Sequence, residues 1–183
     1  MGKLVVTEFV SLDGVFEDPR WTFEFNRGEA GDAFKGEELR EAEVKLLGRV
    51  TYQGFAQAWP SMANDWFGEK MNSMPKYVVS NSLGDEDASW TNSHVIRGDM
   101  QAGVSQLKER VEGSILVHGS ATLVAALAEH DLVDEYRLML FPVVLGTGRR
   151  LFADGFPRTQ LRLLESQPVG PDGVLTLTYV PAP

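Results

Sequence analysis

The sequence contains no cysteine, which excludes disulfides, thiolate metal sites and cysteine nucleophiles. Basic residues are also in the minority, since 17 Lys and Arg stand against 26 Asp and Glu and give a formal net charge of −9. Nucleic acids and anionic membranes favour a basic surface, so we expect neither as a partner. No apolar run approaches the ~18 residues that span a bilayer, and the N-terminal segment indicates a strand and not a signal peptide. We therefore expect a cytoplasmic protein.

Strand-like and helix-like segments alternate along most of the 183 residues, which indicates one α/β domain over residues 1–183. The patterns predict strands over residues 3–10, 44–47, 76–80, 94–97, 114–117, 134–141, 160–167 and 174–180. They predict helices over residues 32–43, 51–57 and 64–73, from the cap Asp99 to about 111, and after the turn that begins at 118. The last two strands are joined by the turn "VGPDG", so this pair is antiparallel and the sheet is mixed.

Aromatic residues mark the segment that follows the first strand. Residues 15–31 lack periodicity and carry Trp21, Phe23 and Phe25, so we interpret them as a long loop with aromatic anchors. In the helix that follows, Ala33, Leu39 and Ala42 are expected on the buried stripe, with the carboxylates and Lys35 elsewhere.

A glycine and a permanent cation end one of the buried strands, in the stretch "VKLLGRVTYQGF" of residues 44–55. Ligands of open α/β sheets bind beyond the carboxyl ends of strands, where helix N-termini offer unpaired N–H groups. Gly48 permits close approach of a phosphate, Arg49 supplies a charged fork, and the Thr51 hydroxyl caps the helix or donates to the same anion. The alternative is that Gly48 turns the chain, Arg49 is solvated and Thr51 is only a cap.

A second crossing from strand through glycine to helix lies in "ILVHGSATLVAAL", residues 115–127. The small residues after the strand, Gly119 and Ser120, leave room for a diphosphate over the helix N-terminus. The alternative is an ordinary helix entry, because the stretch lacks the G-x-G-x-x-G fingerprint. Two such crossings in one sheet favour a shared anionic ligand more than either does alone.

Polar residues also follow two other strands. Ser80 and Asn81 end the strand "KYVVS" and suit a ribose or an extra phosphate, or else serve as turn residues. Asp13 and Gly14 close the first strand in "SLDG". The Asp13 carboxylate would orient a substrate amide or relay a proton, or else serve only in the turn.

The three histidines are His94, His118 and His130, and they are scattered along the chain. They show neither the HExxH pattern nor another paired metal-ligand spacing, so we expect no metal site.

The order of the motifs "VSLDG", "LLGRVTYQGFA", "MPKYVVS", "ILVHGSATLV" and "LVDEYRLMLFPVVLGTGRRLF" resembles the dihydrofolate reductase-like superfamily. More closely, it resembles the branch related to the C-terminal reductase domain of bacterial riboflavin biosynthesis, over residues 3–180. The resemblance implies a three-layer α/β/α fold on a mixed, mainly parallel sheet of about eight strands that ends in an antiparallel hairpin. It also implies NADPH as the reductant and a homodimer, with the strand in "VDEYRLMLFP", residues 133–142, as a candidate seam.

The resemblance assigns site residues by position. Cofactor-binding residues are then Leu12 and Gly14 near the nicotinamide; Gly48, Arg49 and Thr51 at the adenosine-side phosphates; Ser80 and Asn81 at the 2′-phosphate and ribose; and Gly119, Ser120, Ala121 and Thr122 at the diphosphate. Folate enzymes place a carboxylate at the start of the helix before the "GR" strand, and Asp32 lies at a comparable distance before Gly48. Glu29 and Glu37 are close enough to compete for that role.

We therefore predict an NADPH-dependent oxidoreductase that transfers a hydride to a small heterocyclic or carbonyl substrate, pterin-, folate- or pyrimidine-like. Asp32 or Asp13 would deliver or relay the proton. The segment "WTFEFNRGEAGDAF" does not resemble the folate-binding segment, so dihydrofolate is not the expected physiological substrate. The alternative is a non-catalytic module that binds NADPH or flavin for sensing or dimerisation, and it predicts dinucleotide binding without turnover.

Overall fold

One eight-stranded sheet runs through the computed structural model, which describes residues 1–183. The strands are β1 (Lys3–Ser11), β2 (Ala42–Gly48), β3 (Lys76–Val79), β4 (Ser93–Ile96), β5 (Ser114–Val117), β6 (Glu135–Phe141), β7 (Leu161–Val169) and β8 (Val174–Pro181). The α-helices are α1 (Gly28–Glu41), α2 (Arg49–Ala58), α3 (Trp66–Ser73), α4 (Met100–Arg110) and α5 (Ala121–Glu129). Two short 3-10 helices span Pro19–Glu24 and Trp59–Met62. None of the helices is both long and apolar enough to cross a membrane.

The strand order is β4-β3-β2-β5-β1-β6-β8-β7. Neighbours from β4 to β6 are parallel, whereas β8 is antiparallel to both β6 and β7. The predicted mixed, mainly parallel sheet with a terminal antiparallel hairpin is therefore confirmed.

Helices cover both faces of the sheet, because successive side chains of a strand point to opposite faces. On one face, called the α4 face, Leu4 and Val6 of β1 pack in a cluster with Val104 of α4 and Leu127 of α5. On the other, the α1 face, Val5 packs with side chains of α1 and α3, and residues of β2 pack against α2. This gives the three α/β/α layers that the family resemblance implied.

Helix α1 differs from its prediction in its start and in one residue of the predicted buried stripe. It begins at Gly28, four residues before the predicted start, and it buries Lys35, Glu38 and Leu39. Ala33, expected on the buried stripe, is exposed. Burial of Leu39 and Ala42 is confirmed, although Ala42 is already the first residue of β2. The prediction for Ala33 was wrong because Lys35 and Glu38, which bond to Thr7 of β1, occupy the inward face of the helix.

The aromatic segment before α1 is anchored as predicted, with one exception. Trp21 and Phe25 each pack against Phe141 of β6 with ring centroids 5.6 Å apart. Phe23 is 86% exposed and is therefore not an anchor.

The predicted dimer seam needs correction. Strand β6 is paired with β1 on one edge and with β8 on the other, and most of its residues are buried within the chain. It therefore offers no edge to a partner. The free edges of the sheet belong to β4 and β7, and β7 carries the exposed Leu163 and Leu164. Homodimerisation itself stays a prediction.

Candidate active site at a switch point of the sheet

The chain reverses its direction of winding between the neighbouring strands β2 and β5. After β2 the chain enters α2 on the α1 face, whereas after β5 it enters α5 on the α4 face. Helices that leave adjacent parallel strands toward opposite faces open a crevice at the carboxyl ends of those strands. This crevice, called here the β2–β5 crevice, is where both glycine-marked crossings lie.

The two crossings are in direct contact. A Cβ atom added to Gly48 would lie 2.8 Å from both Cβ and Oγ of Ser120. A Cβ added to Gly119 would lie 2.5 Å from Oγ1 of Thr51, and the φ of +65° at Gly119 also favours glycine. From the sequence we expected these glycines to leave room for a phosphate. In the structure the space of each missing Cβ is filled by a side chain from the opposite crossing, so the glycines first serve to join the two turns.

Two helix N-termini open at this contact. Arg49 is the first residue of α2 and is exposed, with Nη1 donating to Oε1 of Gln53 at 3.2 Å. Gly48 is the N-cap of α2 and no side chain caps that helix, so the capping role considered for Thr51 is wrong. Ser120 caps α5, accepting from the Leu123 N–H at 3.2 Å.

Ser120 has a φ of +57°, a left-handed conformation that costs free energy in a residue other than glycine. Ala121 and Thr122 follow it in the first turn of α5, whose N–H groups have no acceptor within the helix.

Ser80 and Asn81 follow the carboxyl end of β3, at the same level as the start of α2, because Val79 of β3 pairs with Gly48 of β2. The Ser80 hydroxyl oxygen accepts from the N–H groups of residues 82 and 83, at 3.2 and 3.0 Å. The Asn81 Oδ1 accepts from the Gly98 N–H at 2.6 Å. Both side chains thus fold the turn after β3, as the turn interpretation predicted.

Asp13 connects the turn after β1 to the loop after β6 through hydrogen bonds. Its carboxylate accepts from the Ser11 hydroxyl at 2.6 Å and from the N–H groups of Leu145 and Gly146 at 3.1 and 2.8 Å. These donors, the Ser11 hydroxyl first, lower the pKa of Asp13 to about 2. An acid with this pKa is ionised near neutral pH and is unsuited to deliver a proton, so the structure supports the turn role. The flanking Leu12 and Gly14 belong to the same turn, and Leu12 is exposed.

Asp32 also lacks the surroundings of a proton donor. Its side chain is 67% exposed and forms an ion pair with Nε of Arg27 at 2.7 Å. The two competing acids, Glu29 and Glu37, are exposed as well. The burial in an apolar pocket that this role requires is therefore missing for all three.

The inward-facing acid of α1 is Glu38, which the sequence reasoning missed. Both of its carboxylate oxygens lie 2.9 Å from the hydroxyl of Thr7 on β1. Lys35 lies 2.5 Å from Glu38, donates to the same hydroxyl at 2.7 Å, and covers the ring of Phe9 at 5.0 Å. The i, i+4, i+7 spacing of Gly31, Lys35 and Glu38 is the signal that identifies this face.

A second buried pair lies on the same face of the sheet. Lys45 of β2 is fully buried, and its Nζ lies 3.3 Å from Nδ1 of His118. The His118 ring is half-buried at the end of β5 and contacts Phe55 of α2, with ring centroids 5.9 Å apart. Burial, followed by the charge of neighbouring lysines, holds the pKa of both groups well below its usual range.

A third buried group lies on the opposite face, directly beneath the turn before α5. Glu8 of β1 accepts a hydrogen bond from the Gly119 N–H and is 8% exposed. Burial raises the pKa of Glu8 to about 8, against the smaller opposing effects of the Gly119 N–H and Lys35. Near neutral pH the turn therefore rests on an uncharged acid.

Comparisons with known proteins give one family. The model of the RibD C-terminal domain matches residues 2–175. Two uncharacterized proteins of Bacillus subtilis strain 168 are similar over nearly the whole chain. YwjB is 32% identical over 174 residues, which is 92% of each protein. YyaP is 26% identical over 183 residues, covering 97% of this chain and 94% of YyaP.

Solved structures share the fold. A protein of Shewanella sp. PV-4, provisionally assigned to riboflavin biosynthesis, superposes with a TM-score of 0.79 at 21% identity, covering 99% of each chain. The dihydrofolate reductase of Enterococcus faecalis, complexed with NADP(H), gives a TM-score of 0.62 at 14% identity, over 100% of this chain and 98% of the other. The predicted dihydrofolate reductase-like fold is thus confirmed.

Proposed function

The chain belongs to the RibD C-terminal domain family, and on that premise we propose that it is a reductase that uses NADPH. Its substrate class is a small heterocyclic or carbonyl compound, pterin-, folate- or pyrimidine-like. The observation that carries the proposal is the contact between the Gly48 and Gly119 crossings at the switch point of the sheet. A similar fold holds NADP(H) in the dihydrofolate reductase of E. faecalis.

The residues around the β2–β5 crevice fit a dinucleotide. Arg49 is exposed at the start of α2 and has no carboxylate partner, so its guanidinium is free to pair with a phosphate. The N–H groups of Ala121 and Thr122, in the first turn of α5, point the positive end of that helix toward the same crevice. The uncharged Glu8 beneath Gly119 adds no negative charge that would repel a diphosphate.

When bound, NADPH supplies the hydride, and the chain's own residues bind, orient and exclude water. On the α1 face, polar side chains lie against aromatic rings: Lys35 covers the ring of Phe9, and the ring of His118 contacts Phe55. An aromatic surface with a few convergent polar groups is typical of a pocket for a planar substrate.

Cofactor titration tests the proposal. We expect the protein to bind NADPH more tightly than NADH, and to oxidise it with at least one member of a panel of pterins, folates, pyrimidines and quinones. Replacing Arg49 by Gln should weaken NADPH by about 1.5–3 kcal/mol, the cost of a lost charged hydrogen bond, and should weaken NADH much less. Arg110→Gln is the matched control. Arg110 ends α4 just before β5, and so lies near the amino ends of the strands, away from the crevice. Equal weakening of both cofactors by Arg49→Gln would place Arg49 away from the 2′-phosphate.

The non-catalytic alternative is favoured by one observation, namely that neither Asp13 nor Asp32 offers a buried acid. A sensing or dimerisation module would bind NADPH or flavin and leave the cofactor unoxidised with every compound of the panel. Oxidation that depends on protein and acceptor would decide for the reductase.

A further inference from the structure

Lys45 and His118 lie on the same face of the sheet because of strand register. Val117 of β5 pairs with Val6 of β1 and with Leu46 of β2, and these three side chains belong to the cluster on the α4 face. The next residue, His118, therefore points to the α1 face, toward α2, as its contact with Phe55 shows. Lys45 precedes Leu46 by one residue, so it points to the same face, behind the imidazole.

The two ring nitrogens of His118 have different surroundings. Nδ1 faces Nζ of Lys45 at 3.3 Å. Nε2 has no hydrogen-bond partner within the chain. Only one side-chain polar atom, the Tyr136 hydroxyl, is both fully buried and without a partner, so Nε2 is not fully buried. The imidazole thus has a free, accessible nitrogen directly before Gly119, at the strand end where the proposed cofactor binds.

Lys45 has no anion of its own. The one hydrogen-bond contact of its Nζ is His118, and the nearby Glu38 is already engaged by Lys35 and Thr7. A buried ammonium without a carboxylate partner is destabilised and gives up a proton readily. The charged groups that act on the pair are Lys35 and Glu38 of α1, Lys70 of α3 and Lys76 of β3.

We propose that His118 delivers a proton from Nε2 to the reduced substrate and that Lys45 donates a proton to Nδ1 of the same ring. The proposal rests on the proposed reductase function. The two electrons of the hydride enter the substrate at carbon, and the adjacent nitrogen or oxygen forms a bond to the proton of Nε2 as the Nε2–H bond breaks. In the same step Nδ1 takes a proton from Nζ of Lys45, which is left as a neutral amine. After product leaves, one proton from solvent enters at Nε2 and the Nδ1 proton returns to Nζ.

The protonation state of the ring gives a readout that needs no substrate. We expect ¹⁵N spectra near neutral pH to show the proton on Nε2 and not on Nδ1 of His118, because in the proposed relay Nζ of Lys45 donates to Nδ1. In Lys45→Met, the preference for Nε2 should be lost and the pKa of His118 should rise, since a neighbouring cation is removed. His94 and His130, both exposed, serve as internal references. An unchanged tautomer and pKa in Lys45→Met would overturn the relay.

Folding is not expected to obscure this result. Met is close to Lys in length, and replacing a buried unpaired amine by an apolar side chain is commonly neutral or stabilising. Urea unfolding of the same sample checks that Lys45→Met is at least as stable as the wild type.

Kinetics with the acceptor that the wild type reduces supply the second readout. We expect kcat to fall by about 10²–10⁴-fold in His118→Gln, as for the loss of a general acid, with the NADPH Kd changed less than about twofold. Lys45→Met should shift the pH profile of kcat, which a merely structural role would not do. His130→Gln should behave as the wild type. Full turnover by His118→Gln would refute the proton relay but not the reductase function. A wild type that binds no NADPH would refute the proposed reductase function itself.

Discussion

Replacing Glu8 by Gln should remove a specific pH dependence from the free energy of unfolding. Glu8 is 8% exposed beneath Gly119, and burial raises its pKa from 4.5 to about 8. Gln keeps the oxygen that accepts from the Gly119 N–H but never ionises. The difference between wild type and Glu8→Gln therefore isolates the titration of this one side chain.

The sign follows from proton linkage. Between pH 4.5 and about 8 the unfolded wild type loses the Glu8 proton while the folded protein retains it. The free energy of unfolding then falls by about 1.4 kcal/mol per pH unit from this group, or about 5 kcal/mol over the whole interval. The contribution is fully present below pH 4.5 and is lost as the pH rises to about 8. Glu8→Gln should thus be increasingly more stable than the wild type from pH 5 to 8, with a constant difference above that.

Urea unfolding followed by tryptophan fluorescence between pH 5 and 9 measures this difference, since Trp90 is buried in the folded protein. Glu86→Gln, at an exposed position, corrects for the general effect of removing one carboxylate. A stability difference between wild type and Glu8→Gln that stays constant from pH 5 to 8 would show that Glu8 is ionised in the folded protein. The turn before α5 would then rest on a negative charge, contrary to the reasoning above.

Two further predictions concern the turns at the edge of the sheet. Gly48→Ala should lower the free energy of unfolding by about 1–3 kcal/mol, because its Cβ would lie 2.8 Å from Ser120. Gly54→Ala, with open space around it, should raise the free energy of unfolding by up to about 1 kcal/mol. Urea unfolding compares the two variants, and changes of the same sign would contradict the contact between the crossings. Asp13→Asn should speed hydrogen exchange at the Gly146 amide, and wild-type protection there should be lost only as the pH falls toward 2; protection that Asp13→Asn leaves unchanged would show that Asp13 does not hold this loop.

Much of the fold could be predicted from the sequence because the strands are locally self-evident. The stretch of β5 is apolar between a glycine and a glycine-serine turn, and its predicted bounds, Ser114–Val117, are those observed. The turn "VGPDG" fixed the antiparallel pairing of β7 with β8 in the same way. Where an apolar run is bounded by turn residues, propensity and tertiary structure agree, and the sequence suffices.

The proposed proton donors could not be predicted from the sequence, because charged and polar side chains are expected at the surface and not in the buried part of a sheet. Lys45 lies within the predicted strand over residues 44–47, but a lysine is almost never fully buried, so nothing in the sequence indicated its position. The inward face of α1 was likewise missed, because Lys35 and Glu38 satisfy each other and Thr7 only once the helix packs on β1. Such pairs depend on contacts between segments that are 28 and 31 residues apart in sequence.

Amide hydrogen exchange with and without saturating NADPH tests most directly whether the β2–β5 crevice binds a dinucleotide. We predict protection in two segments together, residues 48–52 and residues 118–123, with no change in the β7–β8 hairpin. NADPH that binds and protects only one of the two segments, or neither, would contradict the proposal that both crossings hold one cofactor.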